Sequence, residues 1–217
     1  MRNNQPRSFS RRIGKTLSNL QEDLIKNELP KDKIQEQLNI DISKYSAVNI
    51  EIGIGMAEHF INQASLNPSE LFLGFEPYLN GIANCLKLAS LNSVNNFMLW
   101  PDDANHILPQ IEPCYLSKFY VLFPDPWPKK KQKKRRFINE ESLVKIKTML
   151  KPGGQFIFAS DIEDYFFDVY SIAKKLGFKD ESKLDFASHD GYIKTKYATK
   201  AENAGRISRF MIMKNDI

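Results

Sequence analysis

Five short apolar runs that alternate with helical patterns constrain the fold of this 217-residue chain more than any other feature. The runs cover residues 47–52, 71–75, 97–100, 119–123 and 155–159. The helical patterns lie between most of them, at residues 57–66, 78–91, 137–150 and 163–176. Strands that alternate with helices form a parallel sheet with helices on both faces. Residues 178–186 and 207–213 predict two more strands, so we expect an α/β fold with seven strands.

The two ends of the chain carry segments outside this alternation. Residues 1–15 are basic and contain no acid, which predicts a flexible arm, and residues 16–28 predict a short amphipathic helix that ends before Pro30. We therefore divide the chain into an arm with its short helix, 1–29, and one domain, 30–217. The polar stretch 187–206 is long for a hairpin connection, which predicts a functional or mobile segment.

Composition excludes several classes of protein. A formal net charge of +5 and a pI of about 9.0 favour anionic partners. The two cysteines, Cys85 and Cys114, and the histidines at 59, 106 and 189 have no metal-binding spacing, so we expect no metal and assign the histidines no role. No apolar stretch approaches the roughly 18 residues of a membrane span. Without a secretory signal, the sequence predicts a cytoplasmic protein without membrane contact.

A glycine pair after the first predicted strand marks a candidate cofactor site. Gly53 and Gly55 allow a tight turn and let a ligand approach the backbone. Glu58 stands where a dinucleotide fingerprint has its third glycine, and a carboxylate at a helix start opposes pyrophosphate binding. A cofactor without phosphate fits better, and S-adenosylmethionine is one. Glu51, at the strand end, is suited to its ammonium group.

Acids also follow the next two predicted strands. Glu76 ends the second strand, where a carboxylate suits hydrogen bonds to both ribose hydroxyls, and Asp103 follows the third, where it suits the adenine amino group. Each acid alone is equally consistent with a helix cap. Three acids in order at the ends of three successive strands favour one shared cofactor site.

The loop after the fourth predicted strand combines a lone acid with many cations. Phe-Pro-Asp-Pro-Trp-Pro at 123–128 presents Asp125 and Trp127, and residues 129–136 carry seven positive charges. Together with the basic arm, this tract favours binding to an RNA backbone. Charge runs are also often solvated faces without a partner. Trp127 is suited either to stacking on an extruded base or to packing the loop.

These motifs resemble, in order, those of the bacterial tRNA (guanine-N(7)-)-methyltransferases over nearly the whole chain. The matching segments are residues 7–12, 51–56, 74–76, 103–104, 123–136, 150–154, 159–161 and 195–197. The resemblance implies a Rossmann-like class I methyltransferase fold, with a mostly parallel seven-stranded sheet, helices on both faces and an antiparallel last strand. It also implies S-adenosylmethionine as cofactor and tRNA as partner. The implied reaction is methyl transfer to nitrogen 7 of a guanosine at position 46 in the tRNA variable loop.

The resemblance also assigns roles to residues. It implies cofactor contacts from Glu51, Gly53, Gly55, Glu76, Asp103 and Asp125, with Asp125 also as the catalytic residue. It implies substrate or RNA contacts from Lys129, Lys131, Lys133, Lys134, Arg135, Arg136, Asp161, Thr195, Lys196 and Tyr197. The chain departs from the family pattern at Ala57, in place of a glycine, and at Ala198, in place of a glutamate. Lys200 and Ala201 replace an arginine and a glycine.

The chemistry of guanine limits what such a site has to supply. Nitrogen 7 carries a lone pair and no proton, so the attack requires positioning rather than a general base. The purine becomes cationic, and Asp125 or Asp161 would stabilise that charge or accept from the Watson–Crick edge. Other readings stay open at this stage: methylation of another RNA base atom such as an exocyclic amine, a nicotinamide-dependent Rossmann oxidoreductase, and an RNA-binding module without catalysis.

Overall fold

A computed structural model of the protein describes residues 16–29, 33–34 and 41–216, so the predicted arm at 1–15 lies outside the described residues. The strands are β1 (Ala47–Ile52), β2 (Glu70–Phe75), β3 (Phe97–Trp100), β4 (Leu116–Leu122), β5 (Leu150–Ser160), β6 (Lys179–Asp180) and β7 (Arg209–Lys214). The helices of the described residues are α1 (Asn19–Asn27), α2 (Glu58–Leu66), α3 (Leu79–Asn92), α4 (Glu140–Met149), α5 (Glu163–Lys175) and α6 (Lys196–Asn203). The predicted helices and central strands occur within three residues of the expected bounds, except that β5 begins five residues earlier than expected.

The strands form one seven-stranded sheet in the order β3-β2-β1-β4-β5-β7-β6. The pairs β1–β2, β1–β4, β2–β3 and β4–β5 are parallel, whereas β7 runs antiparallel to both β5 and β6. The prediction of a mostly parallel sheet with an antiparallel last strand is confirmed. The parallel strands are continuous apolar runs because both of their faces are covered.

Two apolar cores cover the two faces of the sheet. Alternate residues of β5 divide between them: Phe156 and Phe158 face the core that holds α4 and α5, and Ile157 faces the core that holds α2 and α3. Leu24 and Ile25 of α1 pack against the second of these cores. The short helix thus lies against the domain, and the boundary drawn between residues 29 and 30 stays a prediction.

The chain turns to opposite faces of the sheet after β1 and after β4. The chain after β1 leads to α2 on one face, whereas the chain after β4 leads to α4 on the other. Because β1 and β4 are neighbours, with Ile52 opposite Val121, their connections diverge and leave a crevice at the carboxyl ends of the strands. Ligands of open α/β sheets bind at such a switch point.

Two local predictions were wrong in their bounds. The strand predicted at 178–186 covers only Lys179–Asp180, since Asp180 accepts hydrogen bonds from the Ser182 backbone N–H and the Tyr170 hydroxyl and the chain turns there. The stretch 187–206 contains the helix Lys196–Asn203. The strand predicted at 155–159 is longer, because β5 begins directly after α4, and it contains a register shift against β4.

Candidate active site

The loop after β1, residues 53–57, is called the glycine loop below. It adopts left-handed backbone conformations at three positions. Gly53 has φ 74° and Gly55 has φ 56°, which glycine adopts without steric cost. Ala57 has φ 63° at the position where the family pattern has glycine, and it is fully buried. An L-residue in this conformation costs about 1–2 kcal/mol, so the surrounding packing holds Ala57 in place.

Glu76, which follows β2, is hydrogen-bonded to the loop that follows β1. One carboxylate oxygen accepts from the Gly55 N–H at 2.7 Å and the other from the Tyr78 N–H at 2.9 Å. Burial raises the pKa of Glu76 to about 7, against the lowering effect of these two bonds. Each oxygen keeps a further lone pair that can accept from a ligand hydroxyl.

Gly81 in α3 packs against the glycine loop. A Cβ atom at this position would lie 2.1 Å from the carbonyl oxygen of Gly55, so only glycine allows the contact. The Asn84 side-chain amide donates to the Met56 carbonyl at 2.7 Å on the same side of the loop. Gly81 was not predicted as a site residue, although a glycine inside a helical pattern indicates such a close approach.

Glu51, at the end of β1, is buried and paired with a histidine. Its Oε2 lies 2.7 Å from Nδ1 of His59, and the two residues are 3% and 2% exposed. No role was expected for His59, but the structure places it on the buried face of α2. The pairing leaves the other oxygen of Glu51 for a ligand in the cleft.

A second buried histidine comes from the segment before α6. The ring of His189 lies 5.0 Å from that of His59, and both contact the ring of Tyr120. Burial, with a smaller effect of His59, lowers the pKa of His189 to about 4, so the ring is neutral at neutral pH. No role was expected for His59 or His189 from the sequence, and the structure shows that they form this packed cluster.

The segment that carries His189 is also fixed by hydrogen bonds to α2. The carbonyl of Gly191 accepts from the side-chain amides of Asn62 at 2.9 Å and Gln63 at 2.8 Å. These contacts bring the following residues, 195–197, over the glycine loop. Thr195 caps α6, because its hydroxyl accepts from the Ala198 N–H at 3.2 Å.

Three predicted substrate residues line one cleft with the glycine loop. Thr195, Lys196 and Tyr197 face the same space as Glu51, Gly53, Ile54, Met56, Glu58, His59, Leu122 and Phe123. The Tyr197 ring lies 3.4 Å from where a Cβ on Gly55 would be. Burial raises the pKa of Tyr197, and the charges of Glu76 and Asp125 raise it further. The tyrosine therefore lies near both carboxylates.

Asp125 is exposed on the loop that follows β4. The loop is held in left-handed conformations on both sides of the acid, at Phe123 with φ 53° and at Trp127 with φ 43°. The Phe123 N–H donates to the Ala159 carbonyl at 2.8 Å, which fixes the start of the loop to β5. The charge of Asp125 raises the pKa of Glu76, behind the larger effect of burial, so the two acids interact electrostatically, although neither is among the residues that line the cleft.

Asp103 and Asp161 occupy the flanks of this cleft. Asp103 caps a short 3-10 helix: its Oδ1 accepts from the backbone and side-chain amides of Asn105, both at 2.9 Å. It follows β3, two strands away from the switch point, and is not among the residues that line the cleft. Asp161 follows β5 and accepts from Nε of Arg206 at 2.6 Å.

The basic tract divides into exposed and paired cations. Its centre is a 3-10 helix, Lys130–Arg135. The exposed members among the predicted RNA contacts are Lys129, Lys131, Lys134 and Arg135. Lys133 pairs with Asp164, and Arg136 is buried at 5% exposure, which does not fit its predicted contact with RNA. Trp127 lies under the guanidinium of Arg135, 5.1 Å from the ring centre.

Neither a cluster of metal ligands nor a membrane-spanning helix occurs in residues 16–29, 33–34 and 41–216. In this part of the chain, no three His, Cys, Asp or Glu side chains converge as metal ligands would. In the same part, none of the helices has the length and apolar character of a membrane span.

Several solved methyltransferase structures share this arrangement of strands and helices. The 16S rRNA methyltransferase KamB superposes with a TM-score of 0.59 at 16% identity, over 79% of this chain and 89% of that protein. A protein described as an antibiotic related methyltransferase superposes with a TM-score of 0.56 at 16% identity, over 94% of this chain and 97% of its own. At such identity the likeness shows the fold alone, and it confirms the predicted class I methyltransferase fold.

Sequence comparison decides the family. The family model Methyltransf_4, described as "Putative methyltransferase", matches residues 46–210. A tRNA (guanine-N(7)-)-methyltransferase of Agrobacterium fabrum is 36% identical, over 94% of this chain and 92% of its own length. The chain belongs to the tRNA (guanine-N(7)-)-methyltransferase family. The predicted family resemblance is thereby confirmed, and a Rhizobium meliloti family member of the same name is 33% identical over equal shares.

Longer relatives contain this family's region as a part. A protein named "Bifunctional methyltransferase" from Rickettsia felis is 47% identical over 98% of this chain, which corresponds to 40% of its own length. Its counterpart from Rickettsia conorii is 45% identical with the same coverage. The chain therefore spans about two fifths of the length of these relatives.

Proposed function

We propose that the protein transfers the methyl group of S-adenosylmethionine to nitrogen 7 of a guanosine in tRNA, at position 46 of the variable loop. The observation that carries the proposal is the meeting of three segments at the switch point. The glycine loop with Glu51 and Glu76, the Asp125 loop and residues 195–197 converge on one cleft. Family members named tRNA (guanine-N(7)-)-methyltransferase support the same substrate.

The polar groups of the cleft fit S-adenosylmethionine better than a dinucleotide. Glu51 and Glu76 are buried carboxylates, and Glu58 lies at the start of α2, where a phosphate would otherwise bind. Glu51 would accept from the ammonium group of the cofactor and Glu76 from its ribose hydroxyls. Asp103 has one carboxylate oxygen beyond its bonds to Asn105 for the adenine amino group. Bound there, the cofactor supplies an electrophilic methyl group on a sulfonium.

The residues of the chain would act on guanine by position and charge. Nitrogen 7 needs no deprotonation, so a positioned base and the exclusion of water supply the acceleration. The exposed carboxylate of Asp125 would stabilise the positive charge that develops on the purine. Asp161, oriented by Arg206, would accept from the Watson–Crick edge of the base. Thr195, Lys196 and Tyr197 would close over the base and exclude water.

The exposed cations of the tract would hold the tRNA backbone. Lys129, Lys131, Lys134 and Arg135 follow the Asp125 loop directly and lie on the surface. Phosphate contacts position a nucleic acid without reading its sequence. The base itself would be recognised in the cleft after extrusion from its stack.

Methyl transfer to unmodified tRNA tests the proposal directly. The protein is incubated with S-adenosylmethionine carrying a tritiated methyl group, and nucleosides of the digested tRNA are identified by mass spectrometry. We expect 7-methylguanosine at position 46. The proposal would be contradicted if folded protein bound the cofactor but labelled no guanine. A label on an exocyclic amine would instead favour a methyltransferase that acts on that atom of an RNA base.

The role of Asp125 is tested in the same assay. The Asp125→Asn variant keeps the shape of the side chain and removes its charge, so we expect a rate loss of about a hundredfold or more with little change in cofactor affinity. Glu112→Gln is the matched control, since Glu112 is an exposed acid before the amino end of β4, at the opposite edge of the sheet. Equal single-turnover rates for Asp125→Asn and the wild type would exclude this role.

A further inference from the structure

Arg136 is the last cation of the basic tract, and it points inward. Its side chain is 5% exposed, whereas the neighbouring Arg135 lies on the surface. A buried guanidinium is retained only where its donors are paired. Its position therefore calls for a role other than contact with a nucleic acid.

The donors of Arg136 are distributed over two parts of the molecule. Its Nε donates to the backbone carbonyl of Pro126 at 2.9 Å. Its two terminal nitrogens donate to Asp168 and Asp164 of α5, each at 3.0 Å. The guanidinium plane stacks on the ring of Tyr165, 4.3 Å from the ring centre. Arg136 thus ties the loop after β4 to α5.

The chain after Arg136 is fixed by the same helix. The hydroxyl of Tyr165 accepts from the backbone N–H of Ile138 at 3.0 Å, and both residues are buried. One tyrosine therefore holds the guanidinium on its ring face and the following backbone at its hydroxyl. This arrangement makes α5 a rigid platform for the loop.

The hydrogen bond from Arg136 to the Pro126 carbonyl lies next to a residue with left-handed backbone conformation. Pro126 lies between Asp125 and Trp127, and Trp127 has φ 43°. Backbone in this conformation persists only when surrounding contacts determine it. The carboxylate of Asp125 is exposed, and the fixed carbonyl of the next residue restricts the backbone that carries it.

We infer that Arg136 is a positioning residue for methyl transfer: it fixes the Pro126 carbonyl on α5 and thereby restricts the backbone that carries the Asp125 carboxylate. The inference rests on the proposed function for its kinetic consequence. Its structural part, the fixing of the loop, can be measured without any activity.

The test compares Arg136→Lys with Arg209→Lys. Lysine keeps the charge but lacks the fork that reaches Pro126 and both acids together. Arg209 is the matched control, because it pairs with Glu163 of the same helix at 3.0 Å and stacks over Phe167 at 5.6 Å, and neither of these contacts involves the loop. Cofactor affinity, tRNA affinity and single-turnover rate are measured well below the melting temperatures.

We expect Arg136→Lys to lower the single-turnover rate at least tenfold while both dissociation constants stay within twofold, and Arg209→Lys to leave all three unchanged. A wild-type rate in Arg136→Lys overturns the inference. So does an equal rate loss in the two variants, which would indicate general destabilisation. A loss confined to tRNA affinity would make Arg136 an RNA contact and overturn it as well.

The second readout is the fluorescence of Trp127. The chain has two tryptophans, so a Trp100→Phe background isolates Trp127. We expect acrylamide to quench Trp127 more strongly in Arg136→Lys than in Arg209→Lys, because the loop is released. Equal quenching overturns the inference whether or not the wild type methylates tRNA, whereas an inactive wild type contradicts only the proposed function.

A milder variant covers the case in which Arg136→Lys does not fold. Asp168→Asn removes the charge of one partner, and the Asp168 side chain is 58% exposed, so its replacement leaves the core intact. We expect a rate loss of several-fold at unchanged affinities, together with a smaller increase in quenching. A wild-type rate and wild-type quenching in this variant overturn the inference.

Discussion

The contact between Gly81 and the glycine loop predicts that Gly81→Ala destabilises the protein, although helix propensity alone predicts the opposite. Gly81 lies in the first turn of α3, and alanine would favour the helix by about 1 kcal/mol if nothing else changed. The added methyl carbon would lie 2.1 Å from the Gly55 carbonyl oxygen, where contacts under 3.0 Å essentially never occur. The loop has to retreat by about 0.9 Å, so we expect Gly81→Ala to destabilise the protein.

The size of the effect follows from three terms. Overpacking of this kind costs about 1–3 kcal/mol. The retreat of the loop also weakens the 2.7 Å bond from the Gly55 N–H to Glu76, which contributes about 1.5 kcal/mol as a bond to a charged acceptor. After the gain in helix propensity is subtracted, we expect the free energy of unfolding to fall by about 2 kcal/mol. For a chain of this length, that lowers the melting temperature by about 4–8 °C.

Thermal unfolding followed by circular dichroism measures the shift, and isothermal titration measures cofactor affinity. Ser90→Ala, on the exposed side of α3, is the matched control, since it gains propensity without a collision. We expect Gly81→Ala to melt below the wild type and to bind S-adenosylmethionine at least tenfold more weakly. A melting temperature at or above that of Ser90→Ala would refute the close packing of α3 on the loop.

Three further predictions concern charge and backbone. The pKa of Glu76 is about 7 in the folded protein, above its unfolded value, so its contribution to stability is present below about pH 4.5 and lost as the pH rises through 7. Because the ionised form is the better acceptor for ribose hydroxyls, cofactor affinity should rise from pH 6 to pH 8, and Glu76→Gln should remove this dependence in calorimetric titrations. Lys131→Ala and Lys134→Ala should each reduce the salt slope of tRNA binding by about 1 in filter-binding assays. Ala57→Gly should shift the melting temperature by less than about 3 °C, since relief of the left-handed strain offsets the lost buried methyl group.

Controls separate these effects from changes in net charge or fold. Lys145→Ala removes the same charge on the exposed face of α4, away from the tract, and should leave the salt slope unchanged. An equal slope in all three lysine variants would indicate nonspecific attraction. A pH-independent cofactor affinity in the wild type would exclude ionised Glu76 as the ribose acceptor. A fall of more than about 5 °C in Ala57→Gly would mean that the methyl group outweighs the strain.

Sequence periodicity predicted the parts of the fold that local rules determine. The helix predicted at 78–91 is Leu79–Asn92, and the strands of the central sheet follow the apolar runs closely. The acids Glu51 and Glu76 were predicted at strand ends, and parallel strands bring their carboxyl ends to one edge. The meeting of these acids at the glycine loop is therefore largely a consequence of strand order.

Long-range contacts explain what the sequence could not indicate. The environment of His59 depends on a segment that begins at His189, and the bond that fixes this segment joins residues 128 apart in the chain. Arg136 looks like any other member of a cationic run, and only Asp164 and Asp168 on another helix bring it inside. Nothing in the sequence around His59 or Arg136 indicates that these side chains are buried.

The two buried histidines next to Glu51, His59 and His189, lower the stability of the protein, while His59 provides the hydrogen-bond partner of Glu51. Nε2 of His59 and Nε2 of His189 are buried without a hydrogen-bond partner among the described residues. Unsatisfied polar atoms of this kind lower the free energy of unfolding, and a pair of apolar rings in their place would make a sturdier interior. That more stable protein would leave the buried Glu51 carboxylate without its His59 partner, so a gain in stability at these two positions conflicts with the role proposed for Glu51 as the acceptor for the ammonium group of the cofactor.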